Sequence, residues 1–422
     1  MARFENPFSL KSKRSRPKAE ILNIGTELLT GSTLNTNAQY LGRELTDLGF
    51  EVTYQTSCRD ELSAIQESLR AALKRSEVIF VSGGLGPTPD DITRESLAAF
   101  FQVPLVLSRA QYRQIQRHYR KRGQKVPFIV RREAEFPANA KPVFNRFGIA
   151  LGFIIEHEKK VVIVVPGVPG ELTRLYENHL RSYLKKKFPG IRRYSNLVVK
   201  TVGLSEPAVM HRLGRSFFKF GNFQFGIYPS VGEVSLRIYA DQALLIRRLK
   251  RHILKVMKEY IFTFSEEMLE QAIARKLISK GWTVALAESC TGGQVSEKMT
   301  RVPGASRYFF GSVVAYQNDV KVKTVGVSKI LIKRKGAASK EVALSLARGI
   351  REKFGTTLGV AVTGIAGPTG GTTGKPIGLM HIAIVSPHKS KTWEEHFAGD
   401  RGQIQNRASK KVLEYLWRWV CR

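Results

Sequence analysis

The chain has 422 residues, of which 43% are hydrophobic, and its 68 Lys and Arg against 35 Asp and Glu give a formal net charge of +33. This length predicts two or three domains, each able to bury an apolar core. No apolar run approaches the roughly 20 residues that a bilayer-spanning helix needs, and three scattered cysteines exclude a disulfide framework or a thiolate metal site.

Basic residues cluster at positions 11–18, 117–132 and 247–258. Such clusters are typical of surfaces that bind nucleic acid or another anionic partner. They lack aromatic residues at base-stacking spacing, so solvated helix faces explain them at least as well. A positive field would also favour a substrate that carries phosphate. The segment 1–18 is polar and basic, which predicts a disordered tail and not a secretory signal.

Strand-like and helix-like segments alternate in the first third of the chain, which is typical of α/β architecture. Predicted strands cover 19–24, 51–55, 77–81 and 160–165, and predicted helices cover about 35–48 and 61–74. The third and fourth strands are apolar enough to be buried in a parallel sheet.

The turn after the strand at 77–81 carries groups suited to a phosphate ligand. Three glycines between positions 83 and 86 let a ligand approach the backbone closely. Asp90 and Asp91 suit a hydrated divalent cation, and Asp60 follows the neighbouring predicted strand. Ligands of open α/β sheets bind at the carboxyl ends of the strands, so the three aspartates are expected to face one crevice. The simpler alternative is a glycine-rich turn in which an aspartate caps a helix.

These motifs together resemble the molybdopterin-binding-like domain of competence/damage-inducible CinA proteins. The resemblance rests on segments 24–31, 35–37, 83–88, 90–93 and 166–171. It implies a three-layer α/β fold over 19–190 that binds a nucleotide or pterin phosphate. The residues assigned to nucleotide binding are Gly25, Glu27, Asn37, Gly83, Gly84, Gly86, Thr88, Pro166 and Gly167. In some members it implies hydrolysis of ADP-ribose to AMP and ribose phosphate, with a divalent cation at the three aspartates and K⁺ as a further ion.

Four positions depart from the family pattern. Val130 and Glu133 stand where the family usually carries Asn and Gln, and Ile149 and Leu151 stand where it carries Thr and Pro. A lost hydroxyl and a carboxylate in place of an amide weaken the recognition of a polar or anionic substrate. Two alternatives therefore stay open for this domain, hydrolysis or a degenerate regulatory role.

The segment 191–262 predicts a small α+β domain. Residues 201–206 precede a helix-like stretch, and residues 232–239 alternate as an amphipathic strand. The segment resembles the KH-like linking domain of the same family. The Gly-x-x-Gly loop of RNA-binding KH domains has no convincing counterpart here, so a spacer and dimer element is expected.

The most informative motif is the segment 287–293, Ala-Glu-Ser-Cys-Thr-Gly-Gly, between a predicted strand at 282–286 and a predicted helix at 294–300. A helix N-terminus leaves backbone N–H groups unpaired and stabilises an oxyanion or a phosphate. Ser289 is expected to be exposed and close to those donors. From these residues alone two interpretations stay open, a nucleophile turn or a helix capped by Ser289 or Thr291.

Further strands are predicted at 308–316, 358–362 and 377–383, and a final helix contains Arg407. Over 263–422 four motifs stand in family order: Glu-Ser-Cys-Thr-Gly-Gly, Tyr-x-Asn-x-x-Lys, Thr-Gly-Ile-Ala-Gly-Pro and Gly-Asp-Arg. They closely resemble the nicotinamide mononucleotide (NMN) deamidase domain found alone or as the CinA C-terminal domain. The resemblance implies a three-layer α/β domain that converts NMN and water into nicotinic acid mononucleotide and ammonia without a cofactor.

Amide hydrolysis needs a nucleophile, a proton shuttle and an oxyanion site. Ser289 would attack the carboxamide. No histidine lies near the matching motifs, which argues against a Ser-His-Asp triad, and the resemblance implies that Lys321 is the base of a Ser-Lys dyad. A lysine is a base near neutral pH only when its pKa is lowered, so partial burial of Lys321 is expected, against the alternative of a solvated cation. Tyr316 and Asn318 are expected to orient the dyad or the amide. The residues assigned to the substrate are Thr291, Gly292, Gly293, Thr363, Gly364, Gly367 and Arg401.

Thr363, the glycines after it and Arg401 suit the substrate's phosphate. With these partners, the Ser289 turn is interpreted as a nucleophile turn whose cap serves the oxyanion. Two classes of function compete: a cytoplasmic amidohydrolase of pyridine nucleotide salvage, and a nucleic-acid-associated competence factor that acts through its basic surface. The resemblance favours the first and suggests a homodimer, with no membrane partner.

Overall fold

The computed structural model describes residues 16–421, which form two compact units. One unit ends at Ser195 and the other begins at Asn196. The predicted tail over 1–18 lies outside the described residues except for its last three. The tail prediction is wrong at its end, because Lys18 already begins the first strand. No helix of the described part is long and apolar enough to cross a membrane.

The first unit contains eight strands and seven α-helices within its described part, together with a 3₁₀ helix (Phe128–Ala134) and a π-helical turn (Tyr176–Leu180). The strands are β1 (Lys18–Ile24), β2 (Glu51–Cys58), β3 (Val78–Ser82), β4 (Leu105–Leu107), β5 (Glu135–Pro137), β6 (Ala140–Val143), β7 (Gly152–His157) and β8 (Lys160–Val165). The helices are α1 (Thr26–Leu29), α2 (Thr36–Leu48), α3 (Leu62–Arg75), α4 (Thr93–Phe100), α5 (Arg109–Lys121), α6 (Pro169–Leu175) and α7 (Arg181–Lys187).

A six-stranded sheet in the order β2-β1-β3-β8-β7-β6 forms the centre of this unit. The first four strands are parallel, and β7 and β6 are antiparallel to their neighbours. Apolar side chains of α2, α6 and α7 pack on one face, and those of α3 and α4 pack on the other. The expected three-layer α/β fold is confirmed. The carboxyl ends of the parallel strands meet at one edge, which is where ligands bind in such sheets.

The second unit begins with an α+β portion. It contains β9 (Ser195–Val202), α8 (Glu206–Phe217), β10 (Gln224–Ser230), β11 (Glu233–Ala240), α9 (Ala243–Met257), a 3₁₀ turn (Lys258–Tyr260) and β12 (Ile261–Thr263). The sheet order is β10-β11-β9-β12, and α8 and α9 contribute to its core. Strand β11 alternates between buried and half-buried residues, as the amphipathic pattern predicts.

The rest of this unit is a second three-layer arrangement. Its strands are β13 (Val284–Glu288), β14 (Phe309–Val314), β15 (Leu358–Gly364), β16 (Leu379–Val385) and β17 (Ser390–His396). Its helices are α10 (Leu269–Lys280), α11 (Gln294–Thr300), α12 (Asn318–Lys323), α13 (Lys329–Lys335), α14 (Lys340–Phe354) and α15 (Arg401–Val420), with a 3₁₀ turn at Ala305–Arg307. The sheet order is β14-β13-β15-β16-β17. Helices α10, α11 and α15 cover one face, and α13 and α14 cover the other.

Candidate active site

The turn after β13 lies at the middle of the parallel part of its sheet. Strand β13 pairs in parallel with β14 on one side and with β15 on the other. The N–H of Ser289 donates to the carbonyl oxygen of Val362 at 3.0 Å, which extends the ladder by one residue. The next turn therefore starts where the carboxyl ends of three parallel strands meet.

Glu288, which received no role from the sequence, holds the N-terminus of α11. Its carboxylate is 1% exposed and accepts hydrogen bonds from the N–H groups of Gly293, Val295 and Ser296 at 2.8–3.2 Å. The hydroxyls of Thr291 and Ser296 donate to it as well. The expectation that Ser289 or Thr291 caps this helix is wrong, because the N-cap residue is Gly293 and the glutamate takes the free donors.

Those donors are therefore not open to an oxyanion, and the expectation that the cap serves the oxyanion is also wrong. What the buried carboxylate does instead is fix the turn that carries Ser289. Gly292 and Gly293 have positive φ values of 62° and 99°, which turn the backbone toward the Glu288 carboxylate. Glycine adopts this conformation without strain.

Ser289 is 7% exposed, so the expectation of an exposed serine is also wrong. It opens instead into a cavity of about 340 Å³. The lining residues come from the carboxyl ends of the parallel strands and from the loops after them: Ser289, Cys290, Tyr316, Asn318, Lys321, Gly336, Ala337, Ala338, Thr363, Gly364, Ile365, Ala366, Lys375 and Arg401. All four residues predicted to be catalytic line this one cavity.

Lys321 is buried more completely than the partial burial predicted, with 1% of its surface exposed. Its Nζ donates to the carbonyl oxygens of Ala315 and Tyr316, each at 2.7 Å. Burial lowers the pKa of Lys321, and the Cys290 thiol, if ionised, would raise it. Burial also raises the pKa of Cys290 to about 12, so near neutral pH the thiol is uncharged and only the lowering acts. Within the described residues Nζ makes no hydrogen bond to Ser289.

The mouth of the cavity is cationic. Arg401 donates to the carbonyl oxygen of Gly367 at 2.7 Å and to the hydroxyl of Tyr316 at 2.9 Å. Lys375, from the glycine-rich loop between β15 and β16, donates to the carbonyl oxygen of Lys335. Among the described residues that line the cavity, Arg401 and Lys375 supply positive charge at the mouth, and there is no carboxylate. This distribution favours an anionic ligand.

Several predicted substrate residues lie elsewhere. Thr291, Gly292 and Gly293 form the turn around Glu288 and do not line the cavity, and Gly367 contributes through its carbonyl bond to Arg401. His381, cross-strand from Thr363, is 5% exposed and is not among the lining residues that the structure describes.

The predicted nucleotide residues of the first unit also converge. They border a cavity of about 430 Å³ at the carboxyl ends of β1, β2, β3 and β8. Eight of the nine line it: Gly25, Glu27, Asn37, Gly83, Gly84, Gly86, Pro166 and Gly167. Asn37 links two strand ends by donating to Ser82 Oγ at 3.0 Å and to Gly167 O at 2.7 Å. Gly83 has φ 110°, and a Cβ there would overlap the carbonyl oxygen of Ile24. Thr88, the ninth, does not line the cavity.

The predicted metal ligands line this same cavity, and two of them accept hydrogen bonds from threonines of the surrounding loops. Asp60 Oδ2 accepts from the N–H and hydroxyl of Thr26 at 2.8 and 3.0 Å, and Asp91 Oδ2 accepts from the N–H of Thr88 at 3.0 Å. No three His, Cys, Asp or Glu side chains within residues 16–421 are arranged to hold a metal ion. The donors are chemically suited to Mg²⁺, but the arrangement does not form a ready metal centre.

Only one of the four departures from the family pattern faces this cavity. Val130 and Leu151 are buried in apolar clusters, and Ile149 packs beside Val130. Glu133 lines the cavity at 5% exposure, and burial raises its pKa to about 7. Of the four departures, only Glu133 therefore changes the chemistry of the residues that line this cavity. ADP-ribose hydrolysis here stays a prediction.

Comparison with known proteins agrees with both halves of the fold. A family model described as the CinA C-terminal domain matches residues 266–420, and one described as a probable molybdopterin binding domain matches residues 20–186. A CinA-like protein of Kosmotoga olearia is 38% identical over 407 residues, which cover 95% of this chain and 98% of that protein.

The chain belongs to the CinA family.

A second CinA-like protein, from Dictyoglomus turgidum, is 36% identical over 95% of this chain and 98% of its own length. Among solved structures, the CinA protein of Thermoplasma acidophilum is 33% identical and covers 40% of this chain and 98% of its own, with a TM-score of 0.37.

Two residues of this CinA-family site, Lys375 and Glu288, were not predicted from the sequence, for different reasons. Lys375 lies in the glycine-rich loop that follows the Thr-Gly-Ile-Ala-Gly-Pro motif, and a cation among glycines after a phosphate-suited motif is a usable signal. Glu288 lies inside the 287–293 motif, but its role depends on how the backbone of the following turn folds back over its carboxylate. Gly336, Ala337 and Ala338 gave no chemical signal, and they line the cavity because the hydroxyl of Thr363 donates to the carbonyl oxygen of Ala337 at 3.0 Å.

Replacement of Glu288 by alanine is expected to lower the free energy of unfolding of the second unit by at least about 3 kcal/mol, because buried donors lose a charged acceptor. The matched control is Glu297→Ala on the same helix. Glu297 is exposed and pairs with Arg301, so a change within about 0.5 kcal/mol is expected. Urea unfolding followed by circular dichroism measures both. Equal effects of the two substitutions would contradict the role assigned to Glu288.

Proposed function

We propose that the C-terminal cavity hydrolyses the carboxamide of NMN to give nicotinic acid mononucleotide and ammonia, as a cytoplasmic enzyme. The observation that carries the proposal is the burial of Lys321 in the cavity that Ser289 lines. A buried amine that makes no ion pair within the described residues is destabilising as a cation. A buried amine and a buried serine that line one cavity are the arrangement expected of a Ser-Lys hydrolase.

The two carbonyl bonds of Lys321 suit a neutral amine. An uncharged amine has two N–H groups and one lone pair. Donation to Ala315 O and Tyr316 O uses both N–H groups. The lone pair is then the remaining tetrahedral position and can take the proton from Ser289 Oγ. The lowered pKa of Lys321 acts in the same direction, since it raises the neutral fraction near physiological pH.

The reaction then proceeds in two halves. Ser289 Oγ forms a bond to the carboxamide carbon while its proton passes to Lys321, and the carbonyl oxygen takes up the negative charge. Collapse of this tetrahedral adduct breaks the C–N bond, and Lys321 returns the proton to the leaving nitrogen, which departs as ammonia. Water, deprotonated by the same amine, cleaves the resulting ester and regenerates Ser289 with release of the acid.

The phosphate of NMN fits the cationic mouth. Arg401 has three N–H donors left after its bonds to Gly367 and Tyr316, and a guanidinium matches a phosphate through paired bonds. Lys375 supplies a second positive charge on the lining. A dianionic phosphate placed there leaves the nicotinamide ring to extend toward Ser289.

The direct test is ammonia release by the purified chain from three amides: NMN, nicotinamide riboside and nicotinamide. Release from NMN with a far higher kcat/KM than from the two amides without phosphate is expected. No release from any of them would contradict the proposal.

Arg401→Gln is expected to raise KM for NMN by about 10- to 100-fold, because a charge-assisted phosphate contact is lost. The same substitution is expected to leave kcat/KM for nicotinamide riboside within about twofold. The control is Arg407→Gln, an exposed arginine of the same helix that does not line the cavity. An equal loss on both substrates would mean that Arg401 acts on the fold of the site and not on the phosphate.

A further inference from the structure

A further cavity lies in the second unit, at the end of β13 opposite to Ser289. Indole rings and basic side chains line it. Its volume is about 390 Å³. Its lining residues, called here the tryptophan pocket, are Trp282, Ser386, Lys389, Lys391, Trp393, Tyr415, Arg418 and Trp419. Trp282 precedes β13, whereas Ser289 follows it, and the two cavities share no lining residue.

Three of the chain's four tryptophans line this pocket. The fourth, Trp417, is 6% exposed and belongs to the core. Trp282, Trp393 and Trp419 are only half-buried, although they pack against the same core. Trp393 and Tyr415 are stacked with ring centroids 4.3 Å apart and an interplanar angle of 11°. The rings therefore pack the edge of the domain and still leave a cavity between them unfilled.

The cations of the pocket differ in how they are engaged. Arg418 pairs with Glu414 at 2.9 Å, so its charge is balanced. Lys389 and Lys391 are exposed and make no ion pair within the described residues. Their Nζ atoms lie 5.2 Å from the ring centroids of Trp419 and Trp393 respectively. Among the described lining residues there is no carboxylate.

We propose that the tryptophan pocket binds a nucleotide unit, with the base stacked on an indole face and the phosphate held by Lys389 and Lys391. Stacking on aromatic rings beside a cationic track is how proteins bind nucleobases without sequence preference. Each lysine lies beside a ring, so one ligand that carries an aromatic base and a nearby phosphate can engage both. The pocket contains none of the three basic clusters of the sequence, since Lys389 and Lys391 come from the β16–β17 hairpin and Arg418 comes from α15.

Two sources can supply this chemistry, a free nucleotide or a nucleotide of a single strand. The first arm titrates the full chain with dTMP and follows tryptophan fluorescence. The second arm measures anisotropy of a fluorescein-labelled 15-nucleotide oligothymidylate over a series of salt concentrations. Quenching by dTMP identifies a free-nucleotide site, and binding of the oligonucleotide alone identifies a strand site. Failure of both to bind overturns the proposal.

The decisive variant is Lys389→Glu/Lys391→Glu, which changes two exposed side chains. It is expected to weaken the binding observed by more than tenfold and to reduce the salt slope for the strand by roughly 1.4, the value for two phosphate contacts. Trp419→Ala is expected to weaken binding about tenfold, as loss of one stacking face does. The matched control is Lys185→Glu/Lys186→Glu, which makes the same charge change at exposed positions of the first unit.

The control pair is expected to keep its affinity within twofold, and all variants are expected to keep NMN deamidation. Equal weakening by both lysine pairs would mean that the net charge of the protein, and not the tryptophan pocket, accounts for the binding. It would overturn the proposal. A change in the mass of the assembly in the pocket variant, with unchanged nucleotide affinity, would assign this face to a second copy of the chain and would also overturn the proposal. Because deamidation is measured separately, a negative result for nucleotide binding would leave the proposed NMN deamidation unaffected.

Discussion

Replacement of Ser289 by alanine is expected to lower kcat for NMN deamidation by at least about 10³-fold, because the covalent route loses its nucleophile. The fold is expected to persist. The side chain of Ser289 makes no hydrogen bond within the described residues, so its loss leaves no buried partner unsatisfied. Ammonia release measured beside the near-ultraviolet circular dichroism spectrum tests both statements.

The adjacent thiol provides the control. Cys290 also lines the cavity, but its Sγ lies 3.1 Å from the sulfur of Met380, and burial holds its pKa near 12. A thiol in that state is a poor nucleophile at neutral pH. Cys290→Ala is therefore expected to keep kcat within about tenfold of the parent chain. If Cys290→Ala is inactive and Ser289→Ala is active, the assignment of the nucleophile is wrong.

The family motifs predicted that Ser289 and Lys321 share one site, and both line one cavity for a topological reason. Both follow strands that the apolar patterns identify, and adjacent parallel strands end at one edge of a sheet. Strand β14 pairs with β13, so the segment after it returns to the Ser289 turn. In the first unit, the strand and helix periodicities likewise predict which loops meet at one edge of the sheet. The glycines after β1, β3 and β8 line one cavity there.

What the sequence could not predict depends on contacts over short distances in space. The pattern places a serine before a helix, and a serine there is most often a cap. Only the folded turn reveals that Glu288 reaches the same N–H groups first. The tryptophan pocket gave no local signal at all, since its rings come from positions 282, 393, 415 and 419. The basic clusters of the sequence therefore give no indication of this pocket.

The catalytic role of Lys321 can be tested through the pH dependence of kcat, because burial changes the pKa of this lysine. Its pKa is lowered by burial from an ordinary value of 10.5. The base must be neutral to act, so kcat is expected to rise with pH through the lowered pKa and to level off below pH 10.5. In the same window the unfolded chain binds more protons at this lysine than the folded chain does. Its contribution to the free energy of unfolding therefore also rises with pH across that window.

Lys321→Ala is expected to lower kcat by about 10³-fold, within the range for loss of a general base, while KM for NMN changes little. The cavity left by the side chain admits a small amine, so added methylamine is expected to restore activity in proportion to its neutral fraction. The control is Lys323→Ala, two residues away, whose exposed side chain pairs with Asp319 at 3.2 Å. That variant is expected to keep full activity and to show no response to methylamine. If Lys321 has only a structural role, added amines will not restore the activity of the variant at any pH. The rise of kcat with pH in the parent chain would then have to come from another group.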